Sequence, residues 1–244
     1  DAVMIATPTE SHYRIGKYFL EKKKNIIIEK PITQTLEQAD KLIDIAEKNH
    51  LILAAEHPER FNPAVQYINS MIQNPLFIEV QRLGSFSSRS LDVDVILDLM
   101  IHDIDIILQW DKSNIKTINT SGIPIISNKI DIANVRLQFD SGLVTNLTAS
   151  RVSQKKTRKL RIFQKNNYFS IDYKKQRVKQ YVLKDDQIIE EIPEIKPVEP
   201  LFTLWKNYYR SLIGEQHCNV SGHDARNALQ VALRILNHID HIEI

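Results

Sequence analysis

The first sixty residues alternate short apolar runs with amphipathic stretches. Residues 3–6 and 51–55 are wholly apolar and residues 25–28 nearly so, as expected of strands buried on both faces. Between the last two runs, Leu36, Ala39, Leu42, Ile43 and Ala46 recur at helical spacing, which predicts a helix over residues 35–49 capped by Thr35. Another helix is predicted after the Thr7-Pro8-Thr9 turn, reaching about residue 23, with Thr9 as its cap and Glu10 in its first turn. Strand, helix, strand, helix, strand at this spacing predicts right-handed βαβ units and a parallel sheet.

Beyond Pro63 the period changes. A helix over residues 64–72 leads to a strand at 77–83, and residues 94–108 form a helix that is apolar nearly all round. Alternating segments follow at 115–120, 131–139, 143–150, 158–164, 168–173, 178–183 and 187–192. Asp140-Ser141-Gly142 supplies a hairpin turn, with glycine where a positive φ is cheap. The series predicts a mostly antiparallel, open sheet with helices on one face. Two helices, 201–214 and 224–241, close the chain. The expected division is therefore residues 1–57, α/β, and residues 58–244, α+β. An open sheet has a face or edge to cover, and either a second copy of the chain or its own helices could do so.

Composition narrows the partners. The net charge of +2 gives no overall field for nucleic acid, and no stretch approaches the apolar length of a membrane helix. A single cysteine, Cys218, excludes an internal disulfide and fits a reducing, cytoplasmic setting. The chain begins at Asp1, almost at once in a strand, which suggests that further sequence precedes it.

Two places concentrate candidate chemistry. Lys30, in Glu29-Lys30-Pro31, follows an apolar strand, and ligands of α/β sheets bind beyond the carboxyl ends of parallel strands. Pro31 removes a backbone donor, restricts Lys30 and permits a cis bond. A strand ending in a charged turn is the plainer reading of the same tripeptide. In the apolar helix, Asp98 and His102 are four apart and hence neighbours on one face, with Asp103 and Asp105 beside them. A buried carboxylate requires a partner, and a histidine oriented by one suits general acid/base work, although a satisfied structural pair would look the same.

Three further stretches are weighed with these. In Glu59-Arg60-Phe61-Asn62-Pro63, Arg60 and Asn62 could orient a polar ligand, or the stretch could be a rigid connector. The turn Thr7 to His12 offers backbone donors at a helix start to an anionic group. A basic cluster, Arg151, Lys155, Lys156, Arg158, Lys159 and Arg161, could meet phosphates or simply solvate a strand edge. No histidines and carboxylates have convincing spacing for a metal, and none is expected.

Taken together, Ala6-Thr7-Pro8-Thr9-Glu10-Ser11-His12, Glu29-Lys30-Pro31, Arg60-Phe61-Asn62-Pro63 and Asp98-Leu99-Met100-Ile101-His102-Asp103 resemble, in order and spacing, the Gfo/Idh/MocA family of nicotinamide-dependent sugar oxidoreductases. The resemblance covers essentially the whole chain. It implies a truncated Rossmann-type domain followed by a substrate-binding and dimerisation domain, with NAD or NADP as cofactor. It implies that Thr7, Pro8, Thr9, His12, Glu29, Lys30 and Pro31 line the cofactor, that Lys30, Asp98 and His102 are catalytic, and that Arg60, Asn62 and Arg151 join Asp98 and His102 in holding substrate. Family members open with a Gly-x-Gly-x-x-Gly turn that cradles the pyrophosphate, and none of the six glycines here can form one. The first half of that domain is thus expected to be absent, and the fragment itself to be inactive.

Glu59 to Ala64 and Leu97 to Asp105 look most like the branch acting on UDP-N-acetylglucosamine or its uronic acid, which oxidises the sugar 3-hydroxyl. A nucleotide sugar carries a diphosphate, for which Arg151 is the leading contact and Arg89 a weaker one. An inositol or simple-sugar dehydrogenase of the same family is the nearer alternative, and a non-catalytic sugar-binding or structural homologue the more distant one. A homodimer or homotetramer through the open sheet is expected, without nucleic acid or membrane.

Overall fold

The structure, a computed structural model, describes residues 2–86 and 93–239. Its backbone packing separates two compact units, Asp1–Phe61 with Glu199–Val231, and Asn62–Val198 with Ala232–Ile244. The second-last stretch of chain thus belongs with the first unit.

In the first unit, β1 (Ala2–Ile5), β2 (Asn25–Glu29) and β3 (Leu53–Glu56) form a parallel sheet in that order. The apolar runs become its interior: Ile26, Ile27, Ile28, Ala54 and Ala55 are fully buried. Helices α1 (Thr9–Glu21) and α2 (Leu36–Lys48) are the two crossovers. Gly16 lets α1 approach closely, since a Cβ there would lie 3.3 Å from Ile28 and Leu42 side chains. Thr35 caps α2 as expected, accepting from the Gln38 amide. Thr9 does not cap α1: the helix already starts at Thr9, and Pro8 holds the cap position with no side-chain cap bond among the described residues. Pro8 fits there because the first helical amides need no partner from within the helix. A 3-10 turn, Pro58–Phe61, follows β3 and packs against the later helix α5 (Pro200–Leu212).

The second unit starts with α3 (Pro63–Asn69) and is built on an eight-stranded sheet. Its strands are β4 (Phe77–Leu83), β5 (Ile115–Ile123), β6 (Ile132–Phe139), β7 (Val144–Ser150), β8 (Thr157–Gln164), β9 (Asn167–Asp172), β10 (Arg177–Lys184) and β11 (Gln187–Glu191). They lie in the order β11-β10-β9-β8-β4-β7-β6-β5, and within this sheet β4 and β7 pair in parallel while the other described neighbours pair antiparallel. The turn between β6 and β7 uses Gly142 at φ +94°, as the Asp140-Ser141-Gly142 signal predicts.

Strand alternation gives this sheet one buried face, with Ile78, Val80, Leu147, Leu160, Ile162, Phe169 and Ile171 pointing inward. The other face carries an aromatic row across four strands: Phe77, Phe163, Tyr168 and Tyr181, with successive ring centres 5.9, 4.6 and 4.9 Å apart.

The expected helix over residues 94–108 is two pieces. A wide π turn, Ile96–Met100, precedes α4 (Ile101–Trp110), and the Ile101 amide reaches back five residues to the Ile96 carbonyl. The last helix, α6 (Gly222–Asn237), begins in the first unit and ends in the second. Among the described residues no helix is long and apolar enough to cross a membrane.

Candidate functional site

Because β1, β2 and β3 are parallel, the segments that follow them all emerge at one edge of the sheet, where an α/β fold binds its ligand. Thr7 and Pro8 follow β1, Lys30 follows β2 and His57 follows β3. Lys30 is half-buried, and its bond to Pro31 is cis. His12 is fully buried, and its two ring nitrogens lie 2.9 Å from the Pro31 carbonyl oxygen and 2.8 Å from that of Thr7. The ring therefore ties the turn after β1 to the turn after β2. That placement makes His12 part of the scaffold of the two turns rather than a surface on which a cofactor rests. Thr7 and Ser11 close the same turn through their hydroxyls, 2.6 Å apart. Glu29 stands opposite Glu56 on the last rung of the β2–β3 ladder.

Arg60 is also scaffold within this unit. Its guanidinium donates to the Asn219 carbonyl at 2.9 Å and pairs with Asp224 at 3.3 Å. Burial opposes ionisation of Asp224, yet Arg60 and the Ser221 hydroxyl hold its carboxyl below the usual range.

In the second unit the π turn carries Asp98, and α4 carries His102 in its first turn. Both side chains are half-buried, unlike Ile101, Asp103, Ile104 and Asp105 around them, which are buried. The helix thus presents one less-buried stripe, and on it a carboxylate and an imidazole. A π turn inside a helix is a frequent mark of functional sites. Asp94 fixes its start, its Oδ1 accepting from the Ile96 and Leu97 amides at 2.9 and 3.0 Å.

The second fixing point is one that the sequence reading passed over. Arg82 of β4 is 3% exposed and grips Asp103 with two bonds, Nε to Oδ2 at 2.6 Å and Nη2 to Oδ1 at 2.8 Å. Its guanidinium lies 5.1 Å from the Tyr173 ring centre. The signal was present: Arg82 falls in the inward phase of Ile78 and Val80, where a cation demands a carboxylate, and Asp103 adjoins His102.

Arg151 is placed where a diphosphate contact is not the natural reading. It is 5% exposed, donates to the Val93 carbonyl at 2.6 Å and to that of Ile130 at 3.4 Å, and pairs with Asp131 at 3.5 Å. It braces the approach to the π turn, where the Val95 amide also donates to Ile130. Asn62 is similarly engaged, capping α3 through the Ala64 amide and donating to the Tyr173 carbonyl at 3.0 Å. In the basic cluster Lys155, Lys156, Arg158 and Lys159 are exposed on and before β8, while Arg161 meets Glu79 at 3.1 Å. Arg89 lies outside the described residues.

The residues at the carboxyl edge of the first unit fit a nicotinamide nucleotide in kind: an open turn at the start of α1, then a cation at the end of β2. Comparison with known proteins agrees. The profile of the family described as "Oxidoreductase family, NAD-binding Rossmann fold" (Gfo/Idh/MocA) matches residues 1–57. UDP-N-acetylglucosamine 3-dehydrogenase of Acidithiobacillus ferrooxidans is 39% identical over 174 residues, 71% of this chain and 56% of that protein. Myo-inositol 2-dehydrogenase of Thermotoga maritima is 25% identical over 166 residues, 62% of this chain and 50% of that protein. The chain thus spans about half the length of such relatives. A solved structure of the Acidithiobacillus ferrooxidans enzyme superposes with a TM-score of 0.93 and 32% identity, over 98% of this chain and 78% of that one. With both its strand-end lysine and its aspartate–histidine helix in place, the chain belongs to the Gfo/Idh/MocA family of oxidoreductases.

Proposed function

We propose that the protein to which this chain belongs is an NAD(P)-dependent dehydrogenase that oxidises a sugar hydroxyl, the 3-hydroxyl of UDP-N-acetylglucosamine or a related nucleotide sugar. The observation that carries the reading is the stripe on the π turn and α4, where Asp98 and His102, with Leu97 and Leu99 beside Asp98, keep partial exposure while Met100, Ile101 and Asp103 to Ile107 are buried. The substrate class follows the relative that is 39% identical.

In this reading His102 takes the hydroxyl proton as the carbinol carbon gives up its hydride, and Asp98 binds the sugar and orients the imidazole. Lys30, at the end of β2 in the first unit, supplies a cation at the edge where the nicotinamide would lie, able to stabilise negative charge as it develops. Thr7, Pro8, Thr9, Glu29, Lys30 and Pro31 would hold the nicotinamide end of NAD or NADP, which when bound accepts the hydride. Arg82 and Arg151 act from behind, one fixing the rotation of α4 and the other the entry to the π turn. Positioning of this kind is a large part of what a hydride-transfer enzyme must supply.

Mixing the full-length gene product with UDP-N-acetylglucosamine and NAD or NADP is expected to produce the absorbance of the reduced cofactor. His102→Ala should lower the rate at least a hundredfold while leaving the circular dichroism spectrum unchanged. Turnover of free inositol without turnover of nucleotide sugars would move the assignment to the second reading, an inositol or simple-sugar dehydrogenase. The burial of Arg151 favours that second reading, because it withdraws the leading cation from a diphosphate. The aromatic face of the eight-stranded sheet is proposed as the surface through which two copies associate.

A further inference from the structure

The ladder between β2 and β3 ends on an unusual rung, with Glu29 directly opposite Glu56. Opposed residues of neighbouring strands lie about 5 Å apart and project to the same face of the sheet. Glu56 is 7% exposed, and its Oε1 is buried without a hydrogen-bond partner among the described residues. Glu29 is half-buried. Hydride transfer as proposed above has no use for Glu56, yet the pair sits at the root of the Lys30 turn. A carboxyl held away from water opposite a second carboxylate ionises less readily, because burial and the neighbouring charge both disfavour its charged form. Burial first, and the charge of Glu29 second, push the Glu56 carboxyl up to about 7. Glu29, from the neighbouring strand, is the titratable group whose charge bears on it, and Lys30 and His57 adjoin the two in sequence.

We propose that Glu56 holds a proton near neutral pH on the rung it shares with Glu29, and that this proton makes Glu56 a positioning residue for Lys30. With the proton in place the ends of β2 and β3 keep their register and the Lys30 turn leaves the strand in one direction. Without it two like charges oppose each other on the rung from which that turn springs. The positioning half rests on the functional reading above; the proton on Glu56 does not.

Infrared difference spectra of the chain against Glu56→Gln test the proton directly. The carbonyl stretch of a protonated carboxyl is expected at about pH 6, to be missing from Glu56→Gln, and to fade as the pH passes through about 7. In Glu29→Gln the fading should move to lower pH, since the opposing charge is gone. That comparison stands by itself should Glu56→Gln not fold. No such band at about pH 6, or a fading point that Glu29→Gln leaves unmoved, overturns the pair.

Melting gives a second readout. The folded chain keeps a proton that an unfolded glutamate, ordinarily titrating at 4.5, has released, so this contribution is full below that value and is lost as the pH rises through about 7. Glu56→Gln should flatten that slope. In the full-length gene product kcat should fall several-fold across the same window with KM nearly constant, and Glu56→Gln should remove the dependence. If the spectra and melting behave as stated and the kcat profile does not change in Glu56→Gln, the positioning role is wrong. If the full-length protein turns over no sugar at all, the functional reading fails and the proton on Glu56 stands.

Discussion

Arg82 enters β4 in the phase of Ile78 and Val80, so its guanidinium is carried inward whatever its chemistry prefers. Asp103 answers it with both oxygens, and neither side chain retains contact with water worth mentioning. Removing one partner of such a pair strands the other, at a cost of about 3–5 kcal/mol, whereas replacing both by apolar groups can be nearly neutral. Arg82→Met is therefore expected to lower the urea midpoint strongly, and Arg82→Met with Asp103→Leu to recover much of the loss. A double variant no more stable than the single one would mean that the pair is worth more than its desolvation.

Asp131 is the opposite case, an acid held in its charged form. Burial pushes its carboxyl up, but the Ser127 hydroxyl and the amides of Ile126, Ile125 and Ser127 more than offset this and leave it at about 2. A carboxyl lowered on folding contributes stability above its ordinary value of 3.8 and loses that contribution as the pH falls towards 2. Asp131→Asn should thus melt well below the native chain at neutral pH, with the gap closing as the pH falls through that window.

At the scale of elements, the π turn is where sequence and structure part most instructively. Periodicity identifies an apolar, buried helix over this stretch, and the helical stretch is present, with Asp98 and His102 both half-buried on it. It cannot show that one residue is accommodated by a wide turn, because the hydrophobic period is too coarse to register it. The signal was in the polar residue before the run: Asp94 accepts from two amides, which sets where the turn opens. Asp94→Ala should therefore cost about 1–2 kcal/mol of stability, as lost caps do, and lower kcat of the full-length protein more than it raises KM. An unchanged kcat would show that the π turn holds Asp98 without its cap.

The same limit applies to the charged residues of the site. The position of Lys30 was legible because strand polarity alone sends it to the carboxyl edge of the sheet, and that of Asp98 and His102 because both fall in one apolar helical run. The backbone partners of Arg60, Asn62, His12 and Arg151 were not, because a polar side chain can meet a ligand or a carbonyl and spacing does not distinguish them; here they meet the carbonyls of Asn219, Tyr173, Pro31 with Thr7, and Val93.

At the scale of the molecule, the proposed association of two copies turns on the exposed face of the eight-stranded sheet. Its aromatic row runs over β4, β8, β9 and β10, and beside it Glu79–Arg161 and Lys179–Glu190 pair their charges. At the end of the row β11 is exposed at all five positions, with Ile188 75% exposed. Phe163, Tyr168 and Tyr181 stack, with Phe77 tilted at the end of the row, and present a largely apolar band flanked by paired charges. Association through this band should depend on the rings and hardly on salt. Phe163→Glu with Tyr168→Glu would set two carboxylates in the middle of the band, and in a twofold contact those charges would face each other across the interface. Light scattering over a range of concentrations is expected to give twice the chain mass, or four times, for the native protein and the chain mass for the double variant. The circular dichroism spectrum should be unchanged, since neither ring belongs to the buried face. A variant that keeps the native mass would place the contact elsewhere and leave the aromatic row to stiffen the sheet.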